Sequence, residues 1–480
     1  MSFTQRPDLP KATLRSGYLN RLENAAQSLG TLAPSVTIGV GLPIILGESG
    51  HASALLMALV LVIFLGIAAG VHTFAARCSS AGSLGAYTAM GLGRRPGIAA
   101  SWAYILAMAF VAISAAVCGQ FCIDLLLNQW IGPAHGPWRA LLIPSLILGA
   151  GWYCAHRDVR LSTKVMLASE MTSLVLLCSI MLVALSKGSC WDARQLDFTH
   201  TPWNAVRVAF ITAATTLAGF ESASTLGEEV SEARTTVPRT MLLCLIPTGV
   251  LYLLSTYSLG LLEDRYHVHL DETSMPFDLL ARTVGIPVFG TLSLIGISVS
   301  SFAAAVAGIN GASRVMYDLS RQKALPEFFG YIHPTHATPT RALAFLGVVA
   351  IAVPALIFAE GVSVTDSINY TIQVASYGYM ASYLFVCLAA FAFLLKGRVS
   401  TGLALAAAGG FAAMVAVLGM SIIPLPEAPW GYVAFVSLAL PVCGVAWSEL
   451  CHIRASAPRT AIGVDERPSS LPGLARSAKG

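Results

Sequence analysis

Apolar residues in this chain fall into long runs separated by short polar stretches, and those runs set its architecture. Twelve of them, at about 29–47, 52–76, 98–126, 139–156, 162–186, 205–225, 240–262, 286–318, 341–359, 368–395, 400–424 and 430–452, suit the roughly 20 residues with which an α-helix crosses a bilayer. The runs at 98–126, 286–318 and 368–395 exceed that length and predict tilted helices. Connections such as KGSCWDARQLDFTHTPWN (187–204) are too short for a folded extramembrane domain. The pattern predicts an all-α membrane protein of about twelve transmembrane helices.

Its organisation reads as a cytoplasmic N-terminal segment (1–28), a membrane core (29–395), two additional helices (396–453) and a disordered cytoplasmic tail (454–480). Residues 1–28 hold no short apolar stretch with a small-residue cleavage site, so the first span is expected to serve as the insertion signal. The tail is rich in Pro, Ser, Ala and Arg and has no helical period.

Composition closes off the soluble alternatives. Hydrophobic residues make up 55% of the 480 and charged residues 11%, where a soluble chain carries roughly 25% charge. Mean hydropathy is +0.70. With both termini inside, about 23 of the 29 basic residues fall on the cytoplasmic side, as the positive-inside rule requires. Only Arg139, Lys187, Arg194, Arg207, Arg265 and Arg282 face out in this topology. A plasma membrane, the bacterial inner membrane in the first instance, is the expected location. The net charge of +4 is spread over span ends and forms no patch for nucleic acid.

Two spans are interrupted. LGTLAPSVTIGVGLPIILGE carries Pro34, Gly39, Gly41 and Pro43, and AFITAATTLAGFESAS places Thr215 and Thr216 just before Gly219. Proline removes a backbone donor, glycine lowers the cost of leaving the helix, and broken backbone is tolerated only against protein or a watery cavity. As the first and sixth spans they would lead two halves if the chain divides into five-helix units, and breaks at matching places in two halves point to a midplane substrate site. Kinks and close packing are the plainer use of such residues. Packing is the whole reading of the Gly66–Gly70 pair in the second span.

Glu170 and Glu221 are the acids placed deepest in the apolar runs, where an ionisable group marks a pathway, a proton relay or a partner. Both are candidates for gating or ion coupling. A structural hydrogen bond to a helix end is the rival for Glu221, and Lys164 is the expected neighbour of Glu170. Glu228, Glu229 and Glu232 are expected to pair with Arg234 and Arg239. The ten cysteines sit mostly in apolar runs, and Cys118 and Cys122, four apart, lack further ligands and read as packing. No P-loop, H-E-x-x-H or G-x-S-x-G motif occurs, so an ATPase motor or a membrane enzyme is not indicated.

Three segments carry a family resemblance: GFESASTLGEEVSEARTTVPRTM (219–241), GASRVMYDLSRQKALPEFFGYIHPTHATPTRAL (311–343) and AGSLGAYTAMGLGRRPG (81–97). In order and spacing they resemble the amino acid–polyamine–organocation superfamily of permeases, with Gly219, Glu221, Glu228, Glu229, Pro238 and Arg239 at the family's positions. The resemblance implies a LeuT-like fold, two inverted five-helix repeats with helices one and six broken, and two appended helices. It implies that the substrate is held by free backbone at the breaks, here by Ser35, Val36 and Thr37 with Thr216, Ala218 and Gly219. The sequence departs from the family in one respect: the Gly-Ser-Gly-like run of helix one is replaced by APSVTIGVG, which leaves room for a substrate other than a standard α-amino acid.

In sodium-coupled relatives, neighbouring hydroxyls on helix eight bind the ion together with helix-one carbonyls. Ser300 and Ser301 match those hydroxyls, although membrane serines also bond back to their own helix. Some proton-coupled relatives use a helix-five Lys, at whose approximate position Ser173 stands. The expected function is secondary transport of amino acids or related small amines, with no cofactor other than a coupling ion, sodium or proton. The expected partners are the small-molecule substrate and membrane lipid. A membrane sensor that binds without transport is the alternative, and a channel comes third because polar pore rings are missing. Substrate identity, coupling ion and oligomeric state stay open at this point.

Overall fold

The computed structural model describes residues 13–132, 138–197, 201–273, 275–397, 400–423 and 430–456. The expected tail lies almost wholly outside the described residues.

The first span is a broken helix that starts earlier than its apolar run. α1 (Arg21–Leu32) opens on a capping box: the Asn20 side chain accepts the Glu23 N–H at 2.9 Å, and the Glu23 carboxylate accepts the Asn20 N–H at 3.0 Å. Its start at Arg21 places helix inside the stretch read as an N-terminal segment ending at 28. An apolar window passes over this half because the helix buries polar groups instead, among them Asn24, Gln27, Ser28 and Thr31. Ala33 then turns left-handed (φ 42°, ψ 61°) ahead of Pro34. α2 (Pro34–Val36), a π-helical turn (Thr37–Gly41) and α3 (Leu42–Ser49) complete the span. The wide turn precedes Pro43, whose ring clashes with the carbonyl four residues back in a regular α-helix.

The remaining helices are α4 (Ser53–Ala75), α5 (Ser83–Leu92), α6 (Arg94–Trp130), α7 (Trp138–Arg157), α8 (Val159–Leu185), α9 (Trp203–Thr216), α10 (Ala233–Tyr266) and α11 (Pro276–Thr283). They are followed by α12 (Pro287–Arg321), α13 (Thr340–Ala359), α14 (Val364–Leu395), α15 (Thr401–Ile422) and α16 (Trp430–Ser456). Among the described residues nine helical stretches are long and apolar enough to cross a membrane, the first running from Arg21 to Ala75. Twelve crossings are reached only if that stretch is divided and if α7 and the interrupted α9 are counted as well.

α12 packs along α6 and α8, and α14 along α6, so these long helices form the centre of the bundle. The most apolar windows of α6 and α12 are each 78% buried, against 28% for those of α15 and α16, which lie outside. Large apolar side chains face outward, including Val62, Leu182, Leu243 and Leu356. Such a coat suits lipid rather than water. Geometry supports a packing role for Gly66: a Cβ there would lie 2.7 Å from the Ala406 carbonyl oxygen, so α4 and α15 meet backbone to backbone. Cys118 and Cys122 are free and buried in α6.

Candidate functional site

The sixth span breaks as its composition predicts. α9 stops at Thr216, and Gly219 adopts φ 95°, a left-handed conformation that favours glycine. A short 3₁₀ helix, Phe220–Leu226, continues the path. Polar side chains of α1 stitch it down. The Ser28 hydroxyl donates to the Phe220 carbonyl at 2.5 Å and accepts the Ala223 N–H at 2.9 Å. The Ser222 hydroxyl donates to Thr31 at 2.8 Å, and Asn24 donates to the Ala223 carbonyl at 2.8 Å. The two breaks therefore face each other: a Cβ on Gly219 would sit 2.4 Å from the Thr31 methyl carbon.

Tyrosines close over this junction. The Tyr383 hydroxyl accepts the Gly219 N–H at 2.9 Å and donates to the Glu221 carboxylate at 2.6 Å. The ring of Tyr379 stacks on that of Tyr383 with centroids 5.8 Å apart, and Tyr104 meets Tyr379 edge-on at 6.0 Å. Glu221 is fully buried, and its Oε1 and the Tyr104 hydroxyl each lack a well-formed hydrogen bond. A narrow cleft beside them is lined by Ala214, Thr215, Ala218, Ser376, Tyr379 and Tyr383. Of the residues assigned to the substrate from sequence, Ala218 lines this cleft and Gly219 lies under its tyrosines. Thr216 bonds back to the Ala213 carbonyl at 2.8 Å, and Thr37 to the Leu32 carbonyl at 3.3 Å. Val36 and Thr37 are half-buried in the turn that follows the first break. Tyr379 and Tyr383 give no signal in sequence, because tyrosine in an apolar run reads as core.

Ser35 faces away from the cleft, toward α8. Its N–H and hydroxyl both donate to Glu170 Oε1, at 2.7 and 2.8 Å, while the Ser300 hydroxyl donates to Oε2 at 2.5 Å. The expected approach of Glu170 to Lys164 is not what the helix delivers: six positions apart they lie on different faces, and the carboxylate points inward to α2 and α12. Ser301 faces α6, its Cβ 3.1 Å from where a Gly119 side chain would begin, and its buried hydroxyl lacks a well-formed hydrogen bond. Ser173 hydrogen-bonds the Gly296 carbonyl at 2.5 Å, tying α8 to α12. The polar cluster of this region thus centres on Glu170, Ser35 and Ser300, with Ser301 turned elsewhere.

The acids after the sixth span also find other partners than expected. Glu229 and Arg314 form a fully buried ion pair at 2.5 Å, and Glu228 pairs with Arg321 at 2.8 Å. Both arginines come from α12, which reaches the loop in space; the adjacent Arg234 and Arg239 are not the partners. The apolar pattern also gives no prominence to Glu48 at the end of α3, which accepts the Thr212 hydroxyl of α9 at 3.2 Å and has its second oxygen buried and unpaired.

Broken helices meet at a polar junction inside a bundle coated with apolar side chains, an arrangement that suits a membrane carrier, and comparison with known proteins supplies the family. The chain belongs to the amino acid permease family, whose model matches residues 27–446. It is 25% identical over 340 residues to the low-affinity putrescine importer PlaP of Escherichia coli K12, covering 68% of this chain and 71% of that one. An uncharacterized transporter of Mycobacterium tuberculosis H37Rv is 25% identical over 384 residues, 78% of this chain and 80% of its own. In fold the chain is similar to MhsT, solved in complex with L-phenylalanine, with a TM-score of 0.59, 17% identity, and 91% and 99% of the two chains covered. The protein is a multi-pass membrane transporter of amino acids or amines, with a LeuT-like all-helical fold.

Proposed function

We propose that this permease is a secondary active transporter of the plasma membrane, both termini cytoplasmic, that moves amino acids or related small amines by alternating access. The reading rests chiefly on the breaks at Ala33 and Gly219, which Thr31 and Ser28 of α1 bring together beside Glu221 and its tyrosines. Half-helix C-termini carry partial negative charge and N-termini partial positive charge, so a substrate amine and carboxylate are both served at such a junction.

The charge around the junction favours a cationic substrate. Glu48, Glu170 and Glu221 form no ion pair among the described residues, and each is bonded only to neutral groups there. A protonated amine balances such acids where an acidic side chain would be repelled. The name of the putrescine-importing relative points the same way. In this reading Glu221, locked between Tyr383 and the second break, gates the substrate, and Glu170 carries the coupling cation with Ser35 and Ser300.

Counterflow in proteoliposomes tests the proposal. Labelled putrescine or lysine should accumulate when the same compound is loaded on the opposite side, and glutamate should not compete. Binding without trans-stimulation would make the protein a sensor and overturn the carrier reading. Uptake under separately imposed sodium and proton gradients then identifies the coupling cation.

A further inference from the structure

Three imidazoles converge far from the broken helices, where the end of α7 meets the connection from α12 to α13. His156 lies in the last turn of α7, and His333 and His336 belong to the segment HPTHATPT that leads into α13. One ring nitrogen from each lies within 4.8 Å of the others. Ring centroids are 4.6 Å apart for His333 and His336, 5.0 Å for His156 and His336, and 5.5 Å for His156 and His333. At such separations three imidazolium charges would repel strongly, so the arrangement suits neutral rings, the form that binds metals.

One of these nitrogens is without a partner. His156 Nδ1 is buried without a hydrogen bond, which is uncommon for a buried polar atom. His333 Nδ1 receives the N–H groups of Thr335 and His336, each at a long 3.3 Å, and faces the Thr335 hydroxyl at 3.0 Å. In the neutral ring those contacts mark Nδ1 as the acceptor and put the proton on Nε2; binding a metal through Nε2 moves the proton to Nδ1, gives up the two long N–H contacts, and turns the Thr335 hydroxyl into the acceptor of an Nδ1–H bond, as outer-shell partners of metal-bound imidazoles are. The backbone around the rings is already fixed. His333 donates its N–H to the Thr338 carbonyl at 3.0 Å, the Thr338 hydroxyl donates to the His156 carbonyl at 3.0 Å, and Arg15 donates to the Thr335 carbonyl at 2.7 Å. Trp152 stacks flat on His156, with centroids 5.4 Å apart. The nearby cations are engaged with aromatic faces: Arg157 lies over Tyr153 and Arg341 over Tyr331.

We propose that His156, His333 and His336 bind a divalent transition metal of the zinc class. Three imidazoles and one water complete the tetrahedral set that zinc favours, with zinc–nitrogen distances of about 2.0–2.1 Å. Nitrogens bound to one ion at that distance sit closer together than 4.8 Å, so binding requires the rings to turn inward. The ion clasps α7 to the α12–α13 connection, on the side assigned to the cytoplasm, and is independent of the substrate and of its coupling cation.

The full chain, purified in detergent without a histidine tag and stripped with a chelator, is titrated with Co²⁺. Tetrahedral cobalt reports itself by visible absorption, so the wild type should show saturable bands that Zn²⁺ abolishes. His333→Ala and His336→Ala should each weaken binding by about tenfold or more, since even outer-shell changes at metal sites reach that size. Both positions lie in a connection, so the variants should elute as the wild type does. If His333→Ala elutes abnormally, the milder His336→Gln is titrated in its place and should show the same weakening. Absence of bands in the wild type, or equal binding by normally eluting variants, overturns the proposal.

Discussion

Ser35 offers Glu170 two donors at once, its backbone N–H at 2.7 Å and its hydroxyl at 2.8 Å, both to Oε1. The N–H is available because the first turn of a helix leaves its amides without intrahelical partners, and α2 begins at Pro34. Glu170 therefore caps, from a different helix, the segment that follows the first break. The Ser300 hydroxyl on its other oxygen brings α12 to the same carboxylate. Under the proposed coupling, a cation arriving there would change the charge that holds three elements together, and so would link ion binding to the geometry of the break.

Glu170→Gln tests that link. Glutamine offers one acceptor in place of two and no charge, so the donors of Ser35 and Ser300 cannot all be satisfied. Hydrogen bonds to a charged group contribute about 1.5–3 kcal/mol, which corresponds to roughly 10- to 100-fold. Gradient-driven accumulation in proteoliposomes should fall by that factor, while exchange of substrate against substrate persists. Unchanged accumulation would remove Glu170 from coupling.

Two glycines should separate transport from assembly. At Gly219 a side chain meets the buried Thr31 methyl carbon and a strained φ of 95°, beside the proposed substrate. At Gly66 it meets the main-chain oxygen of Ala406, which cannot step aside. Gly219→Leu should abolish counterflow and still elute as a single species in detergent. Gly66→Leu should lower the yield of properly eluting protein first. Normal counterflow by Gly219→Leu would misplace the substrate.

The spans were legible because lipid imposes a coarse code, a run of apolar residues of fixed minimum length. The polar half of α1 escaped that code: Asn24 and Ser28 are buried against a neighbouring 3₁₀ helix, and Gln27 against α12, elements whose approach no local pattern announces. The depth of Glu170 was equally plain, but its partner Ser35 is 135 positions away. Helix phase could exclude Lys164 and could not supply Ser35. Arg314 likewise pairs with Glu229 across 85 positions, ahead of the arginines beside it in sequence.

That buried pair makes a stability prediction. Removing one partner strands the other charge inside the protein, at a cost of about 3–5 kcal/mol. Arg314→Met alone should therefore lower the melting temperature in detergent sharply. Combining it with Glu229→Gln should recover part of the loss, because no unpaired charge remains. An additive double variant would show that the two residues act independently.

Topology can be read from native thiols. Cys190 is exposed in the connection between α8 and α9, and Cys78 is half-buried beyond the end of α4. Burial, reinforced by the Asp318 carboxylate, pushes the Cys78 thiol up and leaves less thiolate at neutral pH. An impermeant maleimide on intact cells should label Cys190 and spare Cys78. In opened membranes Cys78 labelling should rise with pH. Labelling of Cys78 alone from outside would invert the topology.

Tyr383 holds the second break and the buried acid with one oxygen, accepting from Gly219 N–H and donating to Glu221. Tyr383→Phe keeps the ring that stacks on Tyr379 and removes only that oxygen. The Gly219 amide and the Glu221 carboxylate would then both be buried with a donor or acceptor unmet, at about 1–3 kcal/mol for each unmet group. A substrate amine can restore the lost contact to Glu221, and nothing in a neutral, uncharged analogue can. The variant should therefore melt lower than the wild type, and a cationic substrate should raise its melting temperature by more than it raises that of the wild type. Glu221→Gln in the same background should erase that extra stabilisation, because the acceptor for the amine has lost its charge. Equal ligand-induced shifts in all three proteins would place the substrate away from Glu221, and the gate would have to be sought among other residues of the cleft.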